Sequence, residues 1–314
     1  MDHFLFTVQT VAPVFLIVLI GFLLKRKSII NDNFIQVASQ IVFRVTLPAL
    51  VFSQIAVTDY SKVLNLRQIG FAVIGILFFF AVAWVLSLLI CYNGRDRGAF
   101  IQGSFRSNFS ILGFALILNA FGQTALANAA ILLAVIMPLL NILSVIALAV
   151  PQHKEKQINL MQTMLEIAKN PLILAALAAI PFSYFRIAIH PVFMGTIKYL
   201  AAMTLPLALL GIGGSLSVSS VQQELKLSIW AGFIKIILMP SVLVIAAISV
   251  GFLGSELGVL FFLFGTPTAI ASYIMAEAMD SNSRLAANII LVTTLGSIIT
   301  LSAGLYLLKS MGYF

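Results

Sequence analysis

Charged residues are scarce in this 314-residue chain: they make up 9% of it, and only 10 residues are acidic. Soluble domains carry about a quarter charged residues, and disordered chains contain few apolar ones. Since 61% of this chain is hydrophobic, both classes of protein are excluded. The single cysteine, Cys91, also excludes a disulfide bond within the chain.

Catalytic and metal-binding motifs are missing as well. The three histidines, His3, His153 and His190, lie at the N-terminus and in expected loops. The sequence contains no HExxH motif, nucleophile elbow or P-loop. We therefore expect a protein that is not an enzyme and that binds no cofactor and no metal ion.

Long apolar runs fill the chain, and its mean hydropathy is +1.11. Ten of these runs are long enough for a transmembrane helix, which needs about 20 apolar residues. Called spans 1 to 10 in chain order, they cover about 5–24, 34–56, 68–92, 99–121, 124–150, 170–186, 193–216, 228–252, 257–279 and 285–308. Their continuity excludes the alternating segments of a β-barrel. The sequence thus predicts an all-α polytopic membrane protein with ten transmembrane helices in a single membrane domain.

The distribution of basic residues predicts the orientation in the lipid bilayer. Loops after odd-numbered spans hold ten lysines and arginines, and the remaining loops and the tail hold four. Cytoplasmic loops are enriched in these residues. Both termini are therefore predicted to lie outside, and the 151–169 loop in the cytoplasm. This bias accounts for most of the net charge of +8, so we expect no nucleic-acid partner.

An internal repeat lies at half the chain length. Thr46-Leu47-Pro48 in span 2 recurs as Thr204-Leu205-Pro206 in span 7, an offset of 158 residues. The same offset relates Pro13 to Pro171, and Asn108-Phe109-Ser110 to Thr266-Pro267-Thr268. The halves 1–150 and 151–314 each contain five spans, so the second half enters the membrane with opposite orientation. Such a five-plus-five inverted repeat is typical of secondary transporters.

Spans 4 and 9 are each interrupted near their middle. Gly103, Ser104 and Arg106 to Asn108 make the centre of span 4 polar, and Pro267 interrupts span 9. Proline breaks or kinks a helix, and freed backbone groups inside a membrane must face protein or a water-filled cavity. Paired interruptions in the two halves are the best pointer to a binding site. A helix that begins after such a break directs its N–H groups at an anion.

Four basic residues, Arg44, Arg106, Lys198 and Lys235, fall inside the predicted spans, and no acidic residue falls clearly inside one. Lys198 and Lys235 are close enough to span ends to reach the interface. Arg106 is deeper and lies two residues before the interruption of span 4. An arginine at a helix centre costs about 2.5–3.5 kcal/mol, so carbonyls, water, lipid or a bound anion must compensate it. This favours an anionic substrate, with Arg106 as the candidate that attracts it.

Other residues in the spans favour a hinge or structural role. Pro48 and Pro206 are candidate hinges or packing features, and Gly113 ends the polar stretch of span 4. Arg44 is also deep, and its charge would suit the C-terminal carbonyls of a helix.

The chain resembles the auxin efflux carrier family, which includes plant auxin carriers and bacterial malate and malonate permeases. Three segments carry the resemblance: Thr46–Phe52 in span 2, Arg106–Phe114 in span 4 and Gly265–Tyr273 in span 9. The ten-span layout, the length and the central loop agree with that family too, so the likeness covers the whole chain.

This resemblance implies that spans 4 and 9 cross at their breaks and that a transport domain moves like an elevator against a scaffold. It also implies a homodimer through spans 1, 2, 6 and 7. A substrate carboxylate is expected near Asn108, Ser110, Thr266 and Thr268, although Phe109 stands where plant carriers have a proline. The long hydrophilic loop of many plant carriers is absent, which indicates the compact bacterial branch and a bacterial inner (plasma) membrane.

The sequence thus favours a secondary transporter of organic anions, carboxylates such as malate or malonate being examples. Arg106 would attract the anion, Asn108 and Thr266 would donate hydrogen bonds, and Pro267 would break the helix. Two alternatives remain open: a sodium-coupled symporter of the bile-acid type and an anion channel. The sequence does not select the substrate, the direction of transport, the coupling ion or the oligomeric state.

Overall fold

A computed structural model describes residues 2–57, 65–152, 171–215 and 224–314 of the chain. These residues are almost entirely helical and include no β-strand, apart from one isolated pair of bridged residues. A membrane offers no water to backbone N–H and C=O groups, so apolar segments satisfy them within helices.

The helices follow the apolar runs in order. They are α1 (Asp2–Arg26), α2 (Asp32–Ile41), α3 (Leu47–Ala56), α4 (Leu66–Ile90), α5 (Gly94–Phe105), α6 (Phe114–Ala149), α7 (Pro171–Tyr184), α8 (Pro191–Ser215), α9 (Leu225–Phe233), α10 (Met239–Val250), α11 (Gly254–Gly265), α12 (Ala271–Ala278) and α13 (Ser283–Ser310). Three π-helical turns, Val42–Thr46, Phe109–Gly113 and Ile234–Leu238, lead into α3, α6 and α10. Residues Val150–Gln152 form a short 3₁₀ turn after α6.

Within the described ranges, seven helical stretches are long and apolar enough to cross a membrane. They are Leu5–Arg26, Asp32–Ser53, Leu66–Ile90, Phe109–Gln152, Pro191–Gly214, Leu225–Val250 and Ser283–Ser310. The protein is therefore a multi-pass membrane protein, as predicted. The stretch Phe109–Gln152 covers parts of predicted spans 4 and 5, and Gly122 leaves helical geometry inside it with φ of 76° and ψ of −165°. The count of ten spans stays a prediction.

The helices pack in two groups. In the first, α1 packs mainly on α8, while α3 packs on α7 and α8. Glycines allow α1 and α8 to approach closely: a Cβ at Gly21 would collide with the carbonyl oxygen of Leu210, and a Cβ at Gly213 with that of Val18. Small residues serve the same purpose in other membrane helix pairs.

The second group contains α4, α5, α6 and α9 to α13. Within it α5 packs on α4, α6 and α13, and α11 packs on α6 and α10. Helix α6 also contacts α1 and α3, so it lies where the two groups meet. Helices α5 and α11, which end where predicted spans 4 and 9 leave regular helix, both belong to this second group.

Polar side chains link helix starts within the second group. Asn282, which caps α13 by accepting from the N–H of Leu285, donates through Nδ2 to Asp96 Oδ1 and to Glu224 Oε1, both at 2.7 Å. Asn65 caps α4 and donates to Glu256 Oε1 at 2.9 Å. The starts of α5, α9 and α13 are therefore joined, as are those of α4 and α11.

Candidate functional site: the paired helix ends of spans 4 and 9

Helical geometry stops inside span 4 without a proline. Helix α5 ends at Phe105, Arg106 is extended with φ of −78° and ψ of 111°, and Asn108 has φ of −84° and ψ of 53°. A π-helical turn begins at Phe109, the residue that stands where plant carriers have a proline. The helix therefore stops at 106–108, a polar segment that contains no proline.

Span 9 shows a similar stop. Helix α11 ends at Gly265, and Thr266 is extended with φ of −65° and ψ of 148°. Pro267 follows, which has no N–H to donate to a preceding turn. Helix α12 begins at Ala271, so residues 266–270 lie outside regular helix.

The two non-helical segments bond to each other. The Asn108 N–H donates to the Pro267 carbonyl at 2.7 Å, and the Ala269 N–H donates to the Arg106 carbonyl at 3.2 Å. Ser107 and Thr268 form an antiparallel bridge between these bonds. Each segment thereby satisfies backbone groups that the other leaves free, which is what irregular backbone requires at membrane depth.

Thr268 fixes this junction with both of its donors. Its hydroxyl donates to the Gly103 carbonyl at 2.6 Å, and its N–H donates to Thr293 Oγ1 at 3.2 Å. Gly103 must stay small because a Cβ there would approach Ile289 to 2.8 Å. Thr268 is a predicted substrate-binding residue, but in the structure its hydroxyl proton is used in a hydrogen bond within the protein.

Three buried polar atoms near the junction have no hydrogen-bond partner among the described residues: Thr266 Oγ1, Ser272 Oγ and Gln102 Oε1. Thr266 was a predicted site residue, whereas Ser272 and Gln102 were not. Both are polar residues inside predicted spans, and that signal could have identified them. An unpaired buried polar atom is costly, so the two hydroxyl groups and the amide oxygen are available to a bound ligand.

The remaining predicted site residues lie close by in the chain. Asn108 is almost fully buried, Pro267 is buried, and Ser110 is half-buried in the first turn after the junction. A Cβ at Gly113 would approach the Phe109 ring to 2.6 Å, so Gly113 is required for packing inside the π-helical turn.

Arg106 is 3% exposed and is held by neutral groups. Its guanidinium donates to Ser144 Oγ at 2.8 Å, to Asn141 Oδ1 at 2.9 Å and to Met275 Sδ at 2.8 Å. Ser144 and Asn141 lie on α6, and Met275 lies on α12. The arginine thus connects α6 to the helix that follows the span 9 interruption.

The other basic residues of the spans lie elsewhere. The side chains of Arg44 and Lys198 are exposed in the described structure. Pro48 lies in the first turn of α3, which follows a π-helical turn, whereas Pro206 is exposed in the continuous helix α8. Arg44, Pro48 and Pro206 therefore contribute nothing to the junction through a described contact.

The prediction that Lys235 reaches the membrane interface is wrong. Its side chain is fully buried, and its Nζ donates to the Phe264 carbonyl at 2.5 Å. Lys235 lies only seven residues inside the predicted limit of span 8, which suggested an accessible end. The π-helical turn Ile234–Leu238 packs against α5, α11 and α13, and these neighbours enclose the side chain.

Comparisons with known proteins agree with this architecture. Residues 6–304 match the family described as membrane transport protein. The chain is 22% identical over 302 residues to the uncharacterized transporter MJ1031 of Methanocaldococcus jannaschii, covering 94% of this chain and 96% of that protein. It is also 22% identical over 317 residues to the uncharacterized transporter YfdV of Escherichia coli K12, covering 96% and 97%.

The family match spans nearly the whole chain, and it agrees with the multi-pass helical structure and with the three segments that carry the resemblance. The chain is therefore a membrane transporter that belongs to the membrane transport protein family, which is the family of the auxin efflux carriers.

Proposed function

We propose that this transporter is a secondary carrier of small organic anions, carboxylates such as malate or malonate, and that it works by alternating access. The observation that carries the proposal is the junction of residues 106–108 with 266–269, which combines a buried arginine with unpaired hydroxyl groups. The described partners of that arginine are neutral, so its charge is available to an anion.

The chemistry of the junction suits a carboxylate. Thr266 and Ser272 supply hydroxyl donors that have no described partner. The helical turn that begins at Phe109 directs its first N–H groups toward the junction, where the positive end of the helix dipole favours an anion. Asn108 directly precedes this turn and Ser110 lies in it. Arg106 adds a positive charge, and its guanidinium donates hydrogen bonds to side chains of α6 and α12.

The two groups of helices suit an elevator-like movement. In this proposal α1, α2, α3, α7 and α8 form the scaffold, and α4, α5, α6 and α9 to α13 carry the substrate. The halves 1–150 and 151–314 would be inverted five-helix repeats, with spans 4 and 9 crossing at the junction. Two hydrogen-bonded links support the repeat. Asn65–Glu256 joins the start of span 3 to the start of span 9, and Glu224–Asn282–Asp96 joins the start of span 8 to the start of span 4. Spans 3 and 8 are equivalent in the proposed repeat, as are spans 4 and 9.

We also propose the cellular setting from the sequence. The protein would lie in a bacterial plasma membrane with both termini outside, and it would dimerise through spans 1, 2, 6 and 7. Many apolar side chains on the helices of these four spans are exposed in the single chain, among them Val192, Phe193 and Tyr199 on α8. Lipid or a second copy of the chain would cover them.

Counterflow in proteoliposomes tests the proposal. Vesicles are loaded with unlabelled malate or malonate and diluted into labelled acid, and a carrier gives a transient overshoot of label. Arg106→Ala and Asn108→Ala should each reduce the overshoot at least tenfold, whereas Arg44→Ala, which removes an exposed arginine, should preserve it. Normal overshoot in both site variants, with correct insertion, would refute the site.

The alternatives give different results in the same vesicles. A sodium-coupled symporter would need sodium for uptake, and replacing sodium with choline would abolish it. An anion channel would conduct without saturation, would show unitary currents and would give no overshoot.

A further inference from the structure

Lys235 is a buried cation that the proposed substrate site does not use. Its side chain is fully buried in the π-helical turn between α9 and α10. The Nζ atom donates to the Phe264 carbonyl at 2.5 Å and lies 4.0 Å from Met239 Sδ. A buried ammonium with one carbonyl and one thioether as partners is poorly compensated, so retaining it requires a reason.

Phe264 lies in the last turn of α11, directly before the junction. The carbonyls of a last helical turn lack helical partners, and they carry the negative end of the helix dipole. In secondary transporters such helix ends inside the membrane coordinate the coupling cation. In this chain the Lys235 ammonium binds such a carbonyl, that of Phe264. Phe264 lies two residues before Thr266.

No carboxylate is seen to pair with Lys235 in the described parts of the chain. The π-helical turn Ile234–Leu238, which contains Lys235, packs against α5, α9, α10, α11 and α13. Their ionisable residues are Arg95, Asp96 and Arg97 on α5, Lys226 on α9, Glu256 on α11, and Arg284, Tyr306 and Lys309 on α13, while α10 has none. The two acids lie in the first turns of their helices, and Glu256 is about 12 Å from Phe264 along α11.

We propose that Lys235 is the proton-coupling group of this carrier, so that a proton replaces sodium as the coupling ion. The proposal rests on the proposed anion transport. A bound anion near Thr266 favours the ammonium form by charge compensation, and loss of the anion favours the neutral amine. Substrate binding and protonation are thereby coupled through the Phe264–Thr266 segment.

The proton balance is simple. The neutral amine of Lys235 takes a proton from water on the side from which the anion binds, and it returns that proton to water on the other side after the anion has left. One proton and one anion cross together in each cycle. Lys235 is sealed in the described conformation, so both transfers belong to states in which the site is open.

The experiment compares counterflow with accumulation driven by a pH difference. Vesicles are clamped at zero membrane potential with equal potassium and valinomycin, without sodium. A pH difference of one unit, acidic outside, supports about a tenfold accumulation at one proton per anion. The variants are Lys235→Met, which removes the charge, and Lys235→Arg, which keeps the charge but does not deprotonate. Lys198→Met removes an exposed lysine as a matched control.

Wild type and Lys198→Met should show counterflow and about tenfold accumulation. Both Lys235 variants should retain counterflow within about threefold but accumulate no label above equilibrium. Accumulation by either Lys235 variant would overturn the proposal, as would a wild type that accumulates only with a sodium gradient. Loss of counterflow in both variants would show a structural role only and would overturn it too. A wild type without counterflow would instead refute the anion carrier itself, and the coupling proposal with it.

Discussion

Two threonines of the span 9 interruption are expected to differ in what their hydroxyl groups do. The Thr268 hydroxyl donates to the Gly103 carbonyl, whereas the Thr266 hydroxyl has no partner among the described residues. Removing one partner of a buried hydrogen bond costs about 1–3 kcal/mol, because the other group stays desolvated. Replacing an unpaired hydroxyl carries no such cost.

Thr268→Val should therefore lower the thermal unfolding temperature in detergent, while Thr266→Val should leave it unchanged and reduce counterflow. Thr204→Val is the matched control, since Thr204 is also fully buried with an unpaired hydroxyl but lies on α8. It should change neither quantity. An equal loss of stability in Thr266→Val and Thr268→Val would contradict this division of roles.

Cys91, directly after α4, should be unreactive in the folded protein. Burial raises the pKa of its thiol to about 12, with a smaller contribution from Asp96, while Arg97 opposes both. Only the thiolate attacks maleimides, so labelling by N-ethylmaleimide at pH 7 should be negligible until sodium dodecyl sulfate unfolds the chain. Labelling should rise with pH only well above pH 9. Rapid labelling of native protein at pH 7 would show that the thiol is accessible.

At the scale of helices, the sequence predicted what depends on local composition. Apolar runs predicted the membrane helices, and the polar residues 106–108 and Pro267 coincide with the segments that leave helical geometry. Their mutual hydrogen bonds join residues about 160 positions apart, and no local pattern contains that pairing. The burial of Lys235 was missed for the same reason, because the end of α11 that receives its ammonium belongs to another part of the chain.

Helix α8 offers a matched pair of glycines that tests close packing. A Cβ at Gly213 would collide with the Val18 carbonyl of α1, whereas Gly195 on the same helix has nothing within 4 Å of its Cβ position. Gly213→Ala should lower stability by about 1–3 kcal/mol through overpacking. Gly195→Ala should be neutral or slightly stabilising, since alanine favours a helix more than glycine does. Thermal unfolding in one detergent compares the two, and equal stability would argue against the α1–α8 contact.

At the scale of the whole molecule, the proposed elevator requires the two helix groups to slide past each other. Contacts within a group then persist throughout transport, and contacts between groups break. Phe52 on α3 and Phe182 on α7 pack within the first group with ring centroids 5.7 Å apart. The Lys309 ammonium of α13 lies 4.7 Å from the Phe6 ring of α1 and thus joins the two groups.

Cross-linking these two pairs distinguishes an elevator from a fixed pathway. The double variants Phe52→Cys with Phe182→Cys, and Phe6→Cys with Lys309→Cys, are treated with a short bifunctional methanethiosulfonate. The buried Cys91 adds little background. The link between groups should reduce counterflow at least tenfold, with recovery after reduction by dithiothreitol, because it prevents sliding. The link within the first group should leave counterflow unchanged. Full counterflow with complete cross-linking between α1 and α13 would mean that the anion crosses without relative movement of the groups at that contact.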